Sequence, residues 1–301
     1  MEQVFKAKIN LLRSFPSMSG KKVLFLIVLF CISVGLNAST IHWITFVNTE
    51  NPNVGQASKN SKDYLYSRVI NTVDAELSQF GYNYKIYHYD SSYFTPQNCQ
   101  NIIKELQCDT TDMIVFYYIG NGMNISSDAN QAKYPTLFID DDIKNGIPLS
   151  WIHQSLKEKN ARLTLTFAVS CNKNIGVRVE TEIAEVSIPS AHNYNETYLS
   201  SQQMSGIANA FLGYKGDMVV CSASPEQDSW AVQTPFGSMD VFTYVFVSTF
   251  EGAIFDKSFT WPKFLTKLSE TTTEVTKDMP TQGIQTPIYD YDLKLIREND
   301  R

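Results

Sequence analysis

The sequence predicts an α/β fold, a mostly parallel sheet with helices on both faces, and three observations carry that prediction. Two runs, DMIVFYYIGNG (112–122) and ARLTLTFAVSC (161–171), are rich in Val, Ile, Phe, Tyr and Thr, as strands covered on both faces are. Strand-like and helix-like stretches alternate along the chain, the order expected of parallel strands joined by crossover helices. Both runs also end in small polar residues, and open parallel sheets place ligands just beyond the carboxyl ends of their strands.

Residues 41–47 read as the first strand, closed by a polar turn at 48–52. In 62–80, Leu65, Val69, Val73, Leu77 and Phe80 recur on one helical face, and Gly81 stops the helix. Residues 82–89 alternate as a second strand. Thr95 and Pro96 make a cap and first turn for a helix on which Cys99, Ile102, Ile103 and Leu106 share a face. The 112–122 strand is followed by a long loop, a helix at 149–159 and the 161–171 strand. The polar segment 172–200 reads as a lid. Met204, Ile207, Ala208 and Phe211 mark a helix at 201–212 that Gly213 ends. A strand and loop at 216–229, helices at 238–250 and 261–277, and an edge strand at 284–289 complete the order.

Lys21 and Lys22, the apolar stretch 23–36 and Asn37-Ala38-Ser39 match a secretory signal with a small residue at the cut site. The expected organisation is a signal peptide at 1–38 and one domain at 39–301, exported to the periplasm, cell surface or medium. A retained signal anchor is the alternative, although the stretch is shorter than the roughly twenty residues a spanning helix needs. Only then is a membrane among the partners. Residues 1–38 hold five basic residues and one acidic, so the net charge of −6 for the chain becomes −10 for 39–301. That acidity, with no basic stripe interleaved with aromatics, argues against a nucleic-acid partner. Cys99, Cys108, Cys171 and Cys221 are too few for a disulfide-framed fold. A straight helix would hold Cys99 and Cys108 roughly 13 Å apart, beyond disulfide reach.

The paired runs and their ends resemble the caspase-like cysteine peptidases, a group spanning caspases, metacaspases and gingipain-related bacterial proteins. In that family the first strand finishes in an aromatic-Ser-Gly-His-Gly turn carrying the histidine base, and the second finishes in Asp-x-Cys with the nucleophile. Here the turn reads Ile119-Gly120-Asn121-Gly122 and the second end reads Val169-Ser170-Cys171. The order of elements extends the resemblance over about 40–296. It implies the caspase-haemoglobinase fold, Cys171 as nucleophile, Asn121 at the base position, and the backbone N–H groups of Gly122 and Cys171 as oxyanion donors. It also implies a specificity pocket near Val169, which replaces the family's aspartate, with Cys221 on its wall. Glu226 and Asp228 are the acids left to face such a pocket, which would then suit a basic side chain. A peptide or protein is the implied substrate or partner, and neither a metal nor another cofactor is implied.

Asn121 cannot take or release a proton, and losing acid–base assistance is worth about a hundredfold to ten-thousandfold in rate. Two functions stay open. One is an impaired cysteine endopeptidase, with His192 or a water held by Asn121 as substitute base. The other is a pseudopeptidase that binds a peptide or protein through the old cleft. His42, His88 and His153 read as packing or surface residues. Asp140, Asp141 and Asp142 lack the spacing of a calcium loop and read as surface charge. The chain has no Gly-x-Ser-x-Gly elbow, no phosphate-cradling Gly-x-x-x-x-Gly-Lys loop and no His-Glu-x-x-His pair.

Overall fold

A computed structural model describes residues 38–125, 132–139, 143–173, 204–254, 256, 258–277, 279 and 283–296. All but Ala38 belong to the unit Ser39–Arg301. Strand β1 (Thr40–Val47) is followed by α1 (Gly55–Leu65), one π turn (Tyr66–Ile70) and α2 (Asn71–Ser78), then β2 (Asn83–Tyr89). Helix α3 (Pro96–Glu105) leads to β3 (Met113–Ile119). Three short strands follow, β4 (Asn121–Met123), β5 (Thr136–Phe138) and β6 (Ile147–Pro148), ahead of α4 (Leu149–Lys157) and β7 (Leu163–Val169). The chain continues through α5 (Met204–Leu212), β8 (Tyr214–Cys221), a hairpin of β9 (Ala231–Thr234) and β10 (Gly237–Asp240), α6 (Val241–Ala253), α7 (Trp261–Lys277) and β11 (Ile288–Leu295).

Six strands form the central sheet in the order β11-β8-β7-β3-β1-β2, parallel throughout except for β11, which runs antiparallel to β8. The fold is therefore the expected α/β sheet, covered on both faces. Successive side chains of a strand point to opposite faces, so each central strand contributes to two cores. Met113, Val115, Tyr117 and Ile119 of β3 pack with α1, α2, α5, α6 and α7 on one side. Ile114, Phe116 and Tyr118 pack with α3 and α4 on the other. This double burial is the reason the strand reads as an unbroken apolar run.

Local signals account for the helix starts. Thr95 accepts a hydrogen bond from Asn98 N, with Pro96 in the first turn of α3. Asp240 accepts from Thr243 N at 2.6 Å and caps α6. Helix α1 begins at Gly55, ahead of the expected 62, because its first turns bury small residues rather than large apolar ones. Ala57, Ser58 and Ser61 are buried, and Ser61 Oγ accepts from Asp240 N. The β9–β10 hairpin stands where the start of the helix at 238 was expected, and the β4–β6 sheet occupies part of the expected long loop. The last strand covers Ile288–Leu295 rather than 284–289, since an edge strand with exposed Asp290, Asp292 and Lys294 carries no apolar run. Cys99 is buried in the core as expected, and all four cysteines of the unit are free. Among the described residues no helix is long and apolar enough to cross a membrane.

One buried pair makes stability depend on pH. Trp43 of β1 donates its indole N–H to Asp74 Oδ1 at 2.7 Å, and burial pushes the Asp74 carboxyl up to about 6 while the Trp43 bond partly offsets that rise. A carboxyl that holds its proton more tightly when folded lowers stability as pH rises from about 4 to 6. Above that window it costs about 1–3 kcal/mol. Asn at this position keeps the oxygen acceptor for Trp43 without the charge. Asp74→Asn is expected to raise the melting temperature by several degrees at pH 7.5 and to leave it nearly unchanged at pH 4; equal shifts at both pH values would contradict this assignment.

Candidate functional site

Two strand ends bring the site together through their register. Ile119 of β3 pairs with Val169 of β7, so Gly120 and Asn121 leave the sheet at the same level as Ser170 and Cys171. The pairing continues beyond the sheet, because Gly120 N donates to Val169 O at 3.1 Å and Asn124 N donates to Lys173 O at 2.7 Å. Residues 120–124 thus run beside 169–173. Gly122 has no room for a side chain there: a Cβ would lie 2.7 Å from Ser170 Cβ and 2.9 Å from Cys171 O. From below, the buried Tyr118 hydroxyl lies 2.7 Å from the Asn121 carbonyl and 2.9 Å from the Phe138 carbonyl. Asn121 is fixed through its backbone beside Cys171, and both residues keep partial exposure.

The thiol environment does not favour a thiolate. Cys171 keeps some surface, yet protein encloses its sulfur on most sides. Burial pushes the thiol up to about 12; Ser229 N, donating to Sγ at 3.3 Å, pulls it down, and the neighbouring Asp228 carboxylate raises it further. Asp228 is buried and ion-paired with Lys173, two residues beyond the thiol. Its Oδ2 faces Lys173, while Oδ1 is buried without a hydrogen-bond partner among the described residues. A reactive cysteine needs a cation or imidazole beside it, whereas here the strongest nearby charge is negative and the cation is committed to that charge.

Behind the thiol lies a fully packed polar frame. Ser170 N donates to Ser222 Oγ at 3.0 Å, and Ser222 Oγ lies 3.0 Å from Ser229 Oγ. Gln285, from the extended segment before β11, is buried and donates to Ser222 O at 3.0 Å while accepting from Trp230 N at 2.8 Å. A buried amide pair, Asn124 and Asn172, spans 3.3 Å between the two strand ends, and Asn172 also donates to Lys133 O and Ala223 O. Glu226 N in turn donates to Asn172 O, which holds the 222–229 loop against the thiol segment.

Of the four residues expected to bound the pocket, one reaches the thiol. Asp228 comes to the thiol. Glu226 is exposed at the tip of the loop, at a φ of 68°. Val169 is packed into one core and Cys221 into the other, where burial pushes the Cys221 thiol up to about 11. Neither offers side-chain surface to a ligand. Lys173, Ser229, Asn172 and Gln285 escaped sequence reasoning, because isolated polar residues in loops carry no periodic signal. The three described histidines are engaged elsewhere: His42 with Asp112, His88 with Thr45, and His153 with Thr166 and Asp217. His192, most of the 172–200 segment, the 140–142 acidic run and the signal segment lie outside the described residues.

At pH 7 a thiol titrating near 12 is ionised to about one part in 10⁵, roughly a thousandfold less than an ordinary cysteine. Iodoacetamide labelling of Cys171, followed by mass spectrometry of its peptide, is expected to keep accelerating with pH beyond 10. Asp228→Asn is expected to speed labelling at every pH below that by removing the repulsion. A rate that levels off near pH 7 would show an activated thiol.

Among curated protein sequences none matches this chain. A structure search finds a solved structural-genomics protein, GSU0716 from Geobacter sulfurreducens, at 12% identity and a TM-score of 0.44, covering 84% of this chain and 93% of that one. The sequence profile of the family described as the caspase domain matches residues 70–294, which takes in β3, β7 and both of their ends. With that match spanning most of its length, the chain belongs to the caspase domain family.

Proposed function

We propose that this protein is an exported caspase-fold module that binds a peptide or protein segment through the cleft at Cys171 and has lost most of the family's cysteine endopeptidase activity. Membership of the family supports a peptidase fold with peptide or protein substrates. The observation that carries the finer reading is the company of the thiol: a buried carboxylate beside it and no imidazole touching it among the described residues, while the resemblance puts the amide of Asn121 at the base position.

Amide hydrolysis through a thiol needs a thiolate to attack and an acid to protonate the leaving amine. Asn121 supplies neither. Burial, reinforced by the charge of Asp228, keeps the proton on sulfur, so the first step fails before the second is reached. Recognition does not share that requirement. Asp228 is a buried acid whose cation, Lys173, sits at the rim with its side chain about a quarter exposed. An arriving arginine or lysine side chain would displace Lys173 and take both carboxylate oxygens, exchanging one ion pair for another instead of stripping a bare charge of water. The acidic balance of residues 39–301 favours the approach of a basic segment in the same way.

A fluorescent peptide with a single arginine, compared with its glutamine analogue, tests this. Anisotropy is expected to show binding of the arginine peptide that survives Cys171→Ala and weakens at least about tenfold in Asp228→Asn. No cleavage is expected from the parent. Cleavage that Cys171→Ala abolishes would establish a working peptidase instead, and equal binding of the two peptides would remove Asp228 from recognition.

A further inference from the structure

The end of the sheet opposite Cys171 gathers three metal-ligating side chains that the cleft does not use. His42 lies near the start of β1, Asp112 immediately precedes β3, and Cys108 lies in the connection between α3 and β3. Because β1 and β3 pair in parallel with His42 opposite Ile114, two residues separated by 70 positions meet at the amino ends of adjacent strands. His42 Nε2 stands 3.4 Å from Asp112 Oδ2, and one ligand atom from each of the three residues lies within 4.8 Å of the other two. His42 and Asp112 are buried, while Cys108 is partly exposed and opens the cluster to solvent.

We infer that His42 Nε2, Cys108 Sγ and Asp112 Oδ2 form a three-residue zinc site, with the fourth position open toward solvent on the Cys108 side. In a tetrahedral zinc site the nitrogen and oxygen ligands lie about 3.4 Å apart and the sulfur lies about 3.6 Å from each. The observed nitrogen–oxygen spacing already matches, and the sulfur needs to move inward by no more than about 1 Å, within reach of a loop residue. Calcium and magnesium, which take oxygen ligands, do not suit a set containing thiol and imidazole, whereas zinc does.

The surroundings suit the same set. Asp112 accepts Thr40 N at 2.7 Å through Oδ1 and Asp109 N at 2.8 Å through Oδ2, which fixes the carboxylate and leaves lone pairs for a metal. Tyr87 packs its ring along His42, with its hydroxyl 3.5 Å from Nδ1. When Nδ1–H donates to Tyr87, the Nε2 lone pair points at the carboxylate, the orientation a metal-bound imidazole requires. Coordination replaces the Cys108 S–H bond with a sulfur–zinc bond and releases that proton to solvent. The metal would tie the α3–β3 connection to the start of β1.

Cobalt(II) titration of the full chain, stripped of metals by a chelator, is the test. The expected result is a thiolate-to-cobalt charge-transfer band that saturates at one equivalent, is displaced by zinc, persists in Cys171→Ala and disappears in Cys108→Ser. Absence of the band, or its survival in Cys108→Ser, overturns the assignment. Saturating zinc is also expected to slow iodoacetamide labelling of Cys108 in the unaltered protein at least about tenfold. Undiminished labelling overturns the site whether or not the serine variant folds.

Discussion

The parallel register of β3 and β7, and its continuation past the ends of both strands, is the constraint on which the site at Cys171 depends. Ile119 opposite Val169 sets the level of exit, and the backbone bonds at Gly120 and Asn124 keep the two segments side by side for several residues more. Bulk at Gly122 would force them apart, since a Cβ there meets Ser170 and Cys171. Several polar contacts of the site are built on this scaffold. The Asn124–Asn172 amide pair joins the two strand ends, and the Ser170–Ser222 bond and the loop bearing Asp228 attach to the β7 end.

The same scaffold serves different chemistry according to what stands beside the sulfur. A thiol enclosed by protein and facing a carboxylate stays protonated because ionising it would place two negative charges together in a region poor in water. Lys173 pairs with Asp228 and also lowers the thiol, but by less than burial and the Asp228 carboxylate raise it. Geometry inherited from a peptidase and electrostatics suited to holding a cation can therefore coexist in one cleft. Asn121, at the neighbouring strand end, adds no titrating group, because an amide holds hydrogen bonds through its fixed dipole and has no proton to exchange.

The fold was legible in the sequence where double burial made strands conspicuous. β3 and β7 were readable from their unbroken apolar runs, and α3 from Thr95, Pro96 and the Cys99 face. β11 was misplaced because half its residues are polar and exposed, and the start of α1 was missed because serine and alanine carry its packing. The placement of Cys171 and Asn121 at neighbouring strand ends was readable because each follows a conspicuous strand. The role of Asp228 was half visible: its charge could be read, but its burial and its bond to Lys173 arise from a loop folding back on a segment more than fifty residues earlier. Val169 and Cys221 show the opposite failure. Proximity in sequence to the thiol or to its neighbouring strand gave them a place at the pocket, while side-chain alternation turned both into the cores.

Gln285 has a consequence for the order in which the molecule is completed. It is donated by one of the last segments of the fold, and it ties together the Ser222, Ser229 and Trp230 groups that back the thiol. A ribosome delivers the chain from its amino end, so β1, β3 and β7 can be fully emerged and paired while the rear wall of the cleft still lacks its clasp. Until the 283–295 segment is in place, Ser222, Ser229 and Trp230 behind the thiol lack the side chain that joins them.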